Sequence, residues 1–135
     1  MTERLLENKR ILVAEDNEPS LELALILLRS AGADASGVSN GREAVELVKA
    51  ECFDAVLMDV QMPLMDGKAA TEAIRESESA EGTRIAIIGL TAHAMREQHE
   101  ACIDAGMDAV ITKPLDTATF APTILQHLDA VATGD

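Results

Sequence analysis

The chain has 135 residues and a net charge of −13, and apolar residues make up 47% of it. That is the length of one domain with ample apolar material for a packed core, which excludes intrinsic disorder. The negative charge opposes phosphate backbones and anionic membranes, and Phe53 and Phe120 are the only aromatics, so neither nucleic acid nor a membrane surface is expected as a partner.

Residues 1–8 read as a tail. Ile11-Leu12-Val13-Ala14 is a short apolar run without alternation, which suits a strand covered on both faces. It ends in Glu15-Asp16-Asn17. Pro19 fits a first helical turn, and a helix is predicted over Ser20–Ala31, stopped by Gly32. The longest apolar run, Leu23–Leu28, is far short of the ~20 residues of a membrane span. At 3.6 residues per turn, Leu23, Ala24, Leu27 and Ala31 form one stripe. Leu21 and Leu25 fall on another side of this helix, where they are candidates for contact with a partner.

Ala33–Val38 is a weaker strand. Ser39-Asn40-Gly41 is a turn in which Asn40 can cap a helix over Arg42–Ala50. Ala55–Met58 is a third strand, ending on Asp59. Asp66 can cap a helix over Lys68–Glu76, with a polar stretch from Ser77 to Thr83 after it. Ile85–Leu90 is a fourth strand. A helix over Met95–Ala105 is closed by Gly106. Ala109–Thr112 is a fifth strand, and Thr117 can cap a last helix to about Ala130, with Pro122 in its first turn. Residues 132–135 read as a second tail around one domain, 9–131. Cys52 and Cys102 lack metal-ligand spacing and read as free thiols of a cytoplasmic protein rather than a disulfide.

Five strand–helix units in alternation predict one doubly wound α/β domain with a five-stranded parallel sheet. In such a sheet, ligands bind outside the carboxyl ends of the strands. The polar groups at those ends are Glu15 and Asp16, Asp59, Thr91, and Lys113 with Pro114. At ~4 Å and an effective dielectric near 20, each like-charged carboxylate pair costs about 4 kcal/mol. One lysine does not balance three acids, so a divalent cation is predicted. Oxygen ligands without His or Cys point to Mg2+, or Mn2+, rather than Zn2+. Asp59 is then the candidate nucleophile for a phosphoryl group, with Lys113 and the Thr91 hydroxyl holding its oxygens.

Four stretches, "ILVAEDN", "MDVQMPLMDG", "LTAHAM" and "AGMDAVITKPLD", resemble the receiver domain of two-component response regulators, most of all receivers joined to hybrid histidine kinases. The resemblance covers about residues 9–130 and implies a flavodoxin-like fold. It implies that Glu15, Asp16, Asp59 and the backbone carbonyl of Gln61 bind Mg2+. It implies that Asp59 accepts phosphate from a phosphohistidine on a histidine kinase or a histidine phosphotransfer protein, and that Thr91 and Lys113 read the phosphate. The Lys113–Pro114 bond is cis in that family. Gln61 and His93 fall where the family tunes aspartyl-phosphate lifetime. Val110 stands where the family usually carries an aromatic switch residue, so the outward signal is expected to be weaker or to use other residues. In the family the first helix docks the phosphohistidine-bearing bundle, which agrees with Leu21 and Leu25 as partner contacts, beside Pro114.

Three other readings stay open at this point. An interaction module independent of phosphorylation would not need the full site set. An aspartate-nucleophile phosphatase resembles a D-x-D pattern, where this chain has Gln61 in place of the second acid. An FMN binder needs a phosphate-cradling loop after the first strand, which is acidic here. Oligomeric state is not indicated.

Overall fold

The computed structural model describes residues 5–60, 62, 65–81, 84–92, 95–113 and 118–132. The elements alternate along the chain: β1 (Arg10–Ala14), α1 (Glu18–Ser30), β2 (Asp34–Val38), α2 (Gly41–Ala50), β3 (Ala55–Asp59), α3 (Gly67–Glu81), β4 (Ala86–Thr91), α4 (Arg96–Asp104), β5 (Ala109–Thr112) and α5 (Phe120–Ala132). The five strands are parallel, in the order β2-β1-β3-β4-β5. This is the doubly wound arrangement expected from the alternation.

The side-chain period of two explains the unbroken apolar runs. Ile11, Val13, Leu57, Ile88 and Leu90 point to one face, into a core shared with Ala24 and Leu28 of α1 and with Phe120, Ile124 and Leu128 of α5. Leu12, Val56, Met58 and Ile87 point to the other, against Val45 of α2, Ile74 of α3 and Cys102 of α4. Both faces are covered, so the inner strands have no polar side. Cys52 and Cys102 are free, the first exposed and the second buried. No helix among the described residues is long and apolar enough to cross a membrane.

Four expectations need correction. The first concerns α1, which starts at Glu18 because the Asn17 side chain accepts a hydrogen bond from the Ser20 amide at 3.0 Å. Its core stripe is Ala24 and Leu28, followed by Ala31, with Leu21, Leu25 and Leu27 half-buried against the same core. Leu21 and Leu25 therefore pack inward, and the apolar side chains left in solvent are Leu23 (39% exposed) and Ile26 (59%). The helix is rotated from the predicted stripe, with Ala24, Leu28 and Ala31 against the core and Leu23 turned out. Leu21 itself fills the space over Gly37 of β2, where a Cβ would lie 2.9 Å from its Cδ1.

Second, residues 5–8 are not a free tail. Leu6 is fully buried in the core under α1 and α5, and its amide donates to the Ala31 carbonyl at 2.9 Å. Third, α3 continues through the polar stretch to Glu81. Glu78 accepts from Arg75 at 2.6 Å and from the Ile85 amide, so the last turn of α3 is bonded to the residue that leads into β4. Arg75 also donates to the carbonyls of Ile85 (2.7 Å) and Gly106 (2.8 Å) and to Asp108 (2.8 Å). This tertiary network has no local sequence signal. Fourth, Thr91 belongs to β4 rather than following it, since it pairs with Thr112 of β5. At α5, Thr117 lies outside the described residues, and Pro122 does fall in the first turn.

The burial pattern makes the first two corrections testable. Leu6→Ala is expected to destabilise the protein by about 2–5 kcal/mol, whereas Ile26→Ala should change stability by no more than ~0.5 kcal/mol. Urea unfolding of both variants measures this. Equal, small effects would show that the N-terminal segment is not part of the core.

Candidate functional site

Parallel strands end together, so the residues at their carboxyl ends share one edge. Ala14 pairs with Met58, and Asp59 with Leu90. Glu15, the residue after Ala14, therefore stands beside Asp59, and Thr91 is one step past Leu90. On the far side, Thr91 pairs with Thr112, and the Thr91 carbonyl accepts from the Lys113 amide at 2.7 Å. That backbone bond delivers the lysine to the same edge.

Carboxylate oxygens of Glu15, Asp16 and Asp59 all lie within 4.8 Å of one another. Glu15 (1% exposed) and Asp59 (6%) are buried, as is Thr91, while Asp16 is exposed. Lys113 Nζ donates to both Glu15 oxygens, at 2.9 and 3.1 Å, and is 3.5 Å from Asp59 Oδ2. The lysine thus leans on Glu15 more closely than on Asp59. Burial pushes the Glu15 carboxyl up to about 7, and a hydrogen bond to Asp59 adds to this, while Lys113 pulls the other way. Burial is the main cause of the raised value, and the neighbouring Asp59 carboxylate acts in the same direction. Three carboxylates with no His or Cys among them form a hard oxygen donor set, which fits Mg2+ or Mn2+.

Local structure holds Asp59 in place. Asp59 closes β3, and the next amide, of Val60, donates to the Leu90 carbonyl at 3.0 Å. The Gly67 amide then returns to the Val60 carbonyl at 2.9 Å, closing the loop. Gly67 is required by proximity: a Cβ there would lie 2.2 Å from the Asp59 carbonyl oxygen. Asp66 accepts from the Ala69 amide at 2.8 Å, which is the capping role expected of it.

Sequence reasoning brought Glu15, Asp16, Asp59, Thr91 and Lys113 to the site, and the structure places all five around one cleft. It missed Asn17, Ser20 and Ala92, which complete the lining. Asn17 was visible only as the end of the polar run after the first strand and Ser20 only as the first residue of a helix, whereas Asn17 in fact caps α1. Val110 lies away from the cleft, half-buried in the core formed with α2, α3 and α4. Gln61, His93 and Pro114 lie outside the described residues.

Residues 11–124 match the family model of the response regulator receiver domain. The chain belongs to this family. The sensor histidine kinase GacS of Pseudomonas protegens is 44% identical to the receiver over 87% of the chain, which spans 13% of that kinase. Histidine kinase 1 of Arabidopsis thaliana is 35% identical over 91% of the chain, again 13% of the relative. Two solved structures add the site. The receiver domain of the sensor histidine kinase PA1611 from Pseudomonas aeruginosa, with magnesium in its active-site cleft, has a TM-score of 0.81 and 34% identity over 90% of this chain and 98% of that one. The receiver domain of the Arabidopsis histidine kinase CKI1, complexed with Mg2+ and BeF3−, has a TM-score of 0.80 and 32% identity, covering 96% of this chain and 95% of that one.

The crowding of charge at this edge has a measurable cost. Asp59→Asn keeps the side chain's shape and removes one negative charge beside Glu15. Without metal, the variant is expected to be more stable than wild type by about 1 kcal/mol, or a few degrees in melting temperature. Thermal unfolding of both proteins in EDTA measures it, and a variant melting below wild type would contradict the repulsion.

Proposed function

We propose that this receiver domain takes a phosphoryl group on Asp59 from a phosphohistidine of a histidine kinase or a histidine phosphotransfer protein, and that the aspartyl phosphate shifts its conformation. The observation that carries this reading is Asp59 itself: a buried carboxylate at a strand end, in a three-acid cluster, with Lys113 Nζ 3.5 Å away. In the transfer, an Asp59 oxygen bonds to phosphorus as the P–N bond breaks, and the electron pair returns to the imidazole, which takes a proton. Asp16 and Asp59, with Glu15 and the Gln61 carbonyl as expected from the resemblance, would hold Mg2+. Mg2+ bound there supplies the positive charge that the carboxylates and the phosphoryl oxygens both need.

Lys113 turns from Glu15 toward the incoming oxygens, a short move given its position between the two acids. The buried Thr91 hydroxyl offers the next donor. Moving a two-state equilibrium from 1:99 to 99:1 takes roughly 5.5 kcal/mol, and these two contacts are the proposed source. We assign the domain no outside substrate; its groups assist its own phosphorylation and dephosphorylation. Gln61 and His93 remain our candidates for tuning the lifetime of the phosphate. A cytoplasmic location fits thiols that stay free. The partner face we favour on α1 now rests on the exposed Leu23 and Ile26, with Leu21 and Leu25 as their inner support.

Intact-protein mass spectrometry with Mg2+ and acetyl phosphate tests the proposal. Wild type is expected to gain one phosphoryl group, EDTA to abolish the gain, and Asp59→Asn to show none. A folded wild-type protein that gains nothing, or a variant that gains as much, would refute it.

A further inference from the structure

The start of α2 is the part of the molecule that the site chemistry leaves unexplained. Asn40 caps the helix: its Oδ1 accepts from the Glu43 amide at 2.8 Å, and its Nδ2 donates to Glu43 Oε1 at 2.9 Å. Gly41 is the first helical residue, and its amide is one of those that a helix leaves without an internal partner. That amide does not face water. It donates to the Met65 carbonyl at 3.1 Å, within the loop that leaves Asp59.

The approach is too close for any side chain. A Cβ on Gly41 would lie 2.3 Å from the Met65 carbonyl oxygen and 3.1 Å from Ala70 Cβ. Neither neighbour can yield easily, since one is backbone and Ala70 is fully buried. The loop cannot retreat either. Its ends are joined by the Gly67–Val60 hydrogen bond, and Gly67 already stands against the Asp59 carbonyl. The segment is therefore held between the tip of α2 and the phosphoacceptor strand.

We infer that Gly41 is a positioning residue for the phosphoacceptor: its amide and its missing side chain set the Met65 carbonyl, and Gly67, two residues on and against the Asp59 carbonyl, passes that placement to Asp59. The inference rests on the proposed metal-dependent function of the same site. Gly41 touches neither metal nor phosphate, so its effect is indirect, as for residues that orient metal ligands. Such residues commonly change metal affinity by about 10–100-fold.

The test is a Mg2+ titration followed by amide NMR on wild type, Gly41→Ala and Val45→Ala. Val45 is buried in the core one helical turn along α2 from Gly41, so its truncation weakens the packing of α2 without adding bulk at Met65. Gly41→Ala is expected to weaken Mg2+ binding by about tenfold or more. Val45→Ala should lower the melting temperature while keeping wild-type affinity. In wild type, the Gly41 amide should shift along the same titration curve as the amides beside Asp59, a readout that stands even if Gly41→Ala fails to fold. A folded Gly41→Ala with wild-type affinity, or a Gly41 amide unmoved by Mg2+, overturns the inference while leaving the receiver chemistry in place. Wild-type protein that binds no Mg2+ overturns the receiver reading, and the pin with it.

Discussion

Like-charge crowding at the carboxyl edge of the sheet is the constraint around which this molecule is organised. Parallel strands finish side by side, and three carboxylates, two of them buried, come within 4.8 Å of one another. In water these groups would separate. Here the strands forbid it, because Asp59 is fixed by β3 and Glu15 is tied by its amide to the Val38 carbonyl at 3.0 Å. The repulsion is relieved in part by Lys113 and in part by the raised proton affinity of Glu15. A site held in this only partly relieved state favours cations, and then the charge pattern of phosphoryl transfer, because its carboxylates are already gathered to meet them.

The opposite edge of the sheet stabilises what the site edge destabilises. There Arg75 makes four hydrogen bonds, one within α3 to Glu78 and three that join α3 to the residue before β4 and to the turn before β5. Asp108 also accepts from the Ile87 amide at 2.8 Å and pairs with Arg84. A part-buried ion network of this kind stabilises only when its members are satisfied, and among the described residues no buried side-chain polar atom lacks a partner. Leu6 adds an apolar anchor under α1 and α5. These contacts lie away from the reacting groups, whereas at the site Met65 is held by the Gly41 amide.

Val110 shows how the outer strand packs its corner without a ring. The residue sits on the outer strand β5, half-buried in the core formed with α2, α3 and α4 rather than at the cleft. Met107 fills the neighbouring space, with its sulfur 2.5 Å from where a Cβ on Gly89 would lie. A small β-branched residue at 110 and a flexible methionine at 107 pack this corner without an aromatic ring.

By itself, the sequence determined the five strand–helix units, their parallel arrangement in one sheet, and five candidate side chains for the site, because apolar runs and the polar residues that end them are local signals. Those signals carry no information on partners distant in the chain. Only the tertiary structure decided which side of α1 is buried, since that depends on how the helix sits against the sheet and α5, with Leu21 over Gly37. It alone extended α3 to Glu81, through a carboxylate used by Ile85, and drew Leu6 from an expected tail into the core. The same holds at the site: in the chain Asn17 reads as the end of a polar run, Ser20 as a helix start and Gly41 as a turn residue, and their places beside Asp59 and its loop arise because parallel strands bring separate loops to one edge.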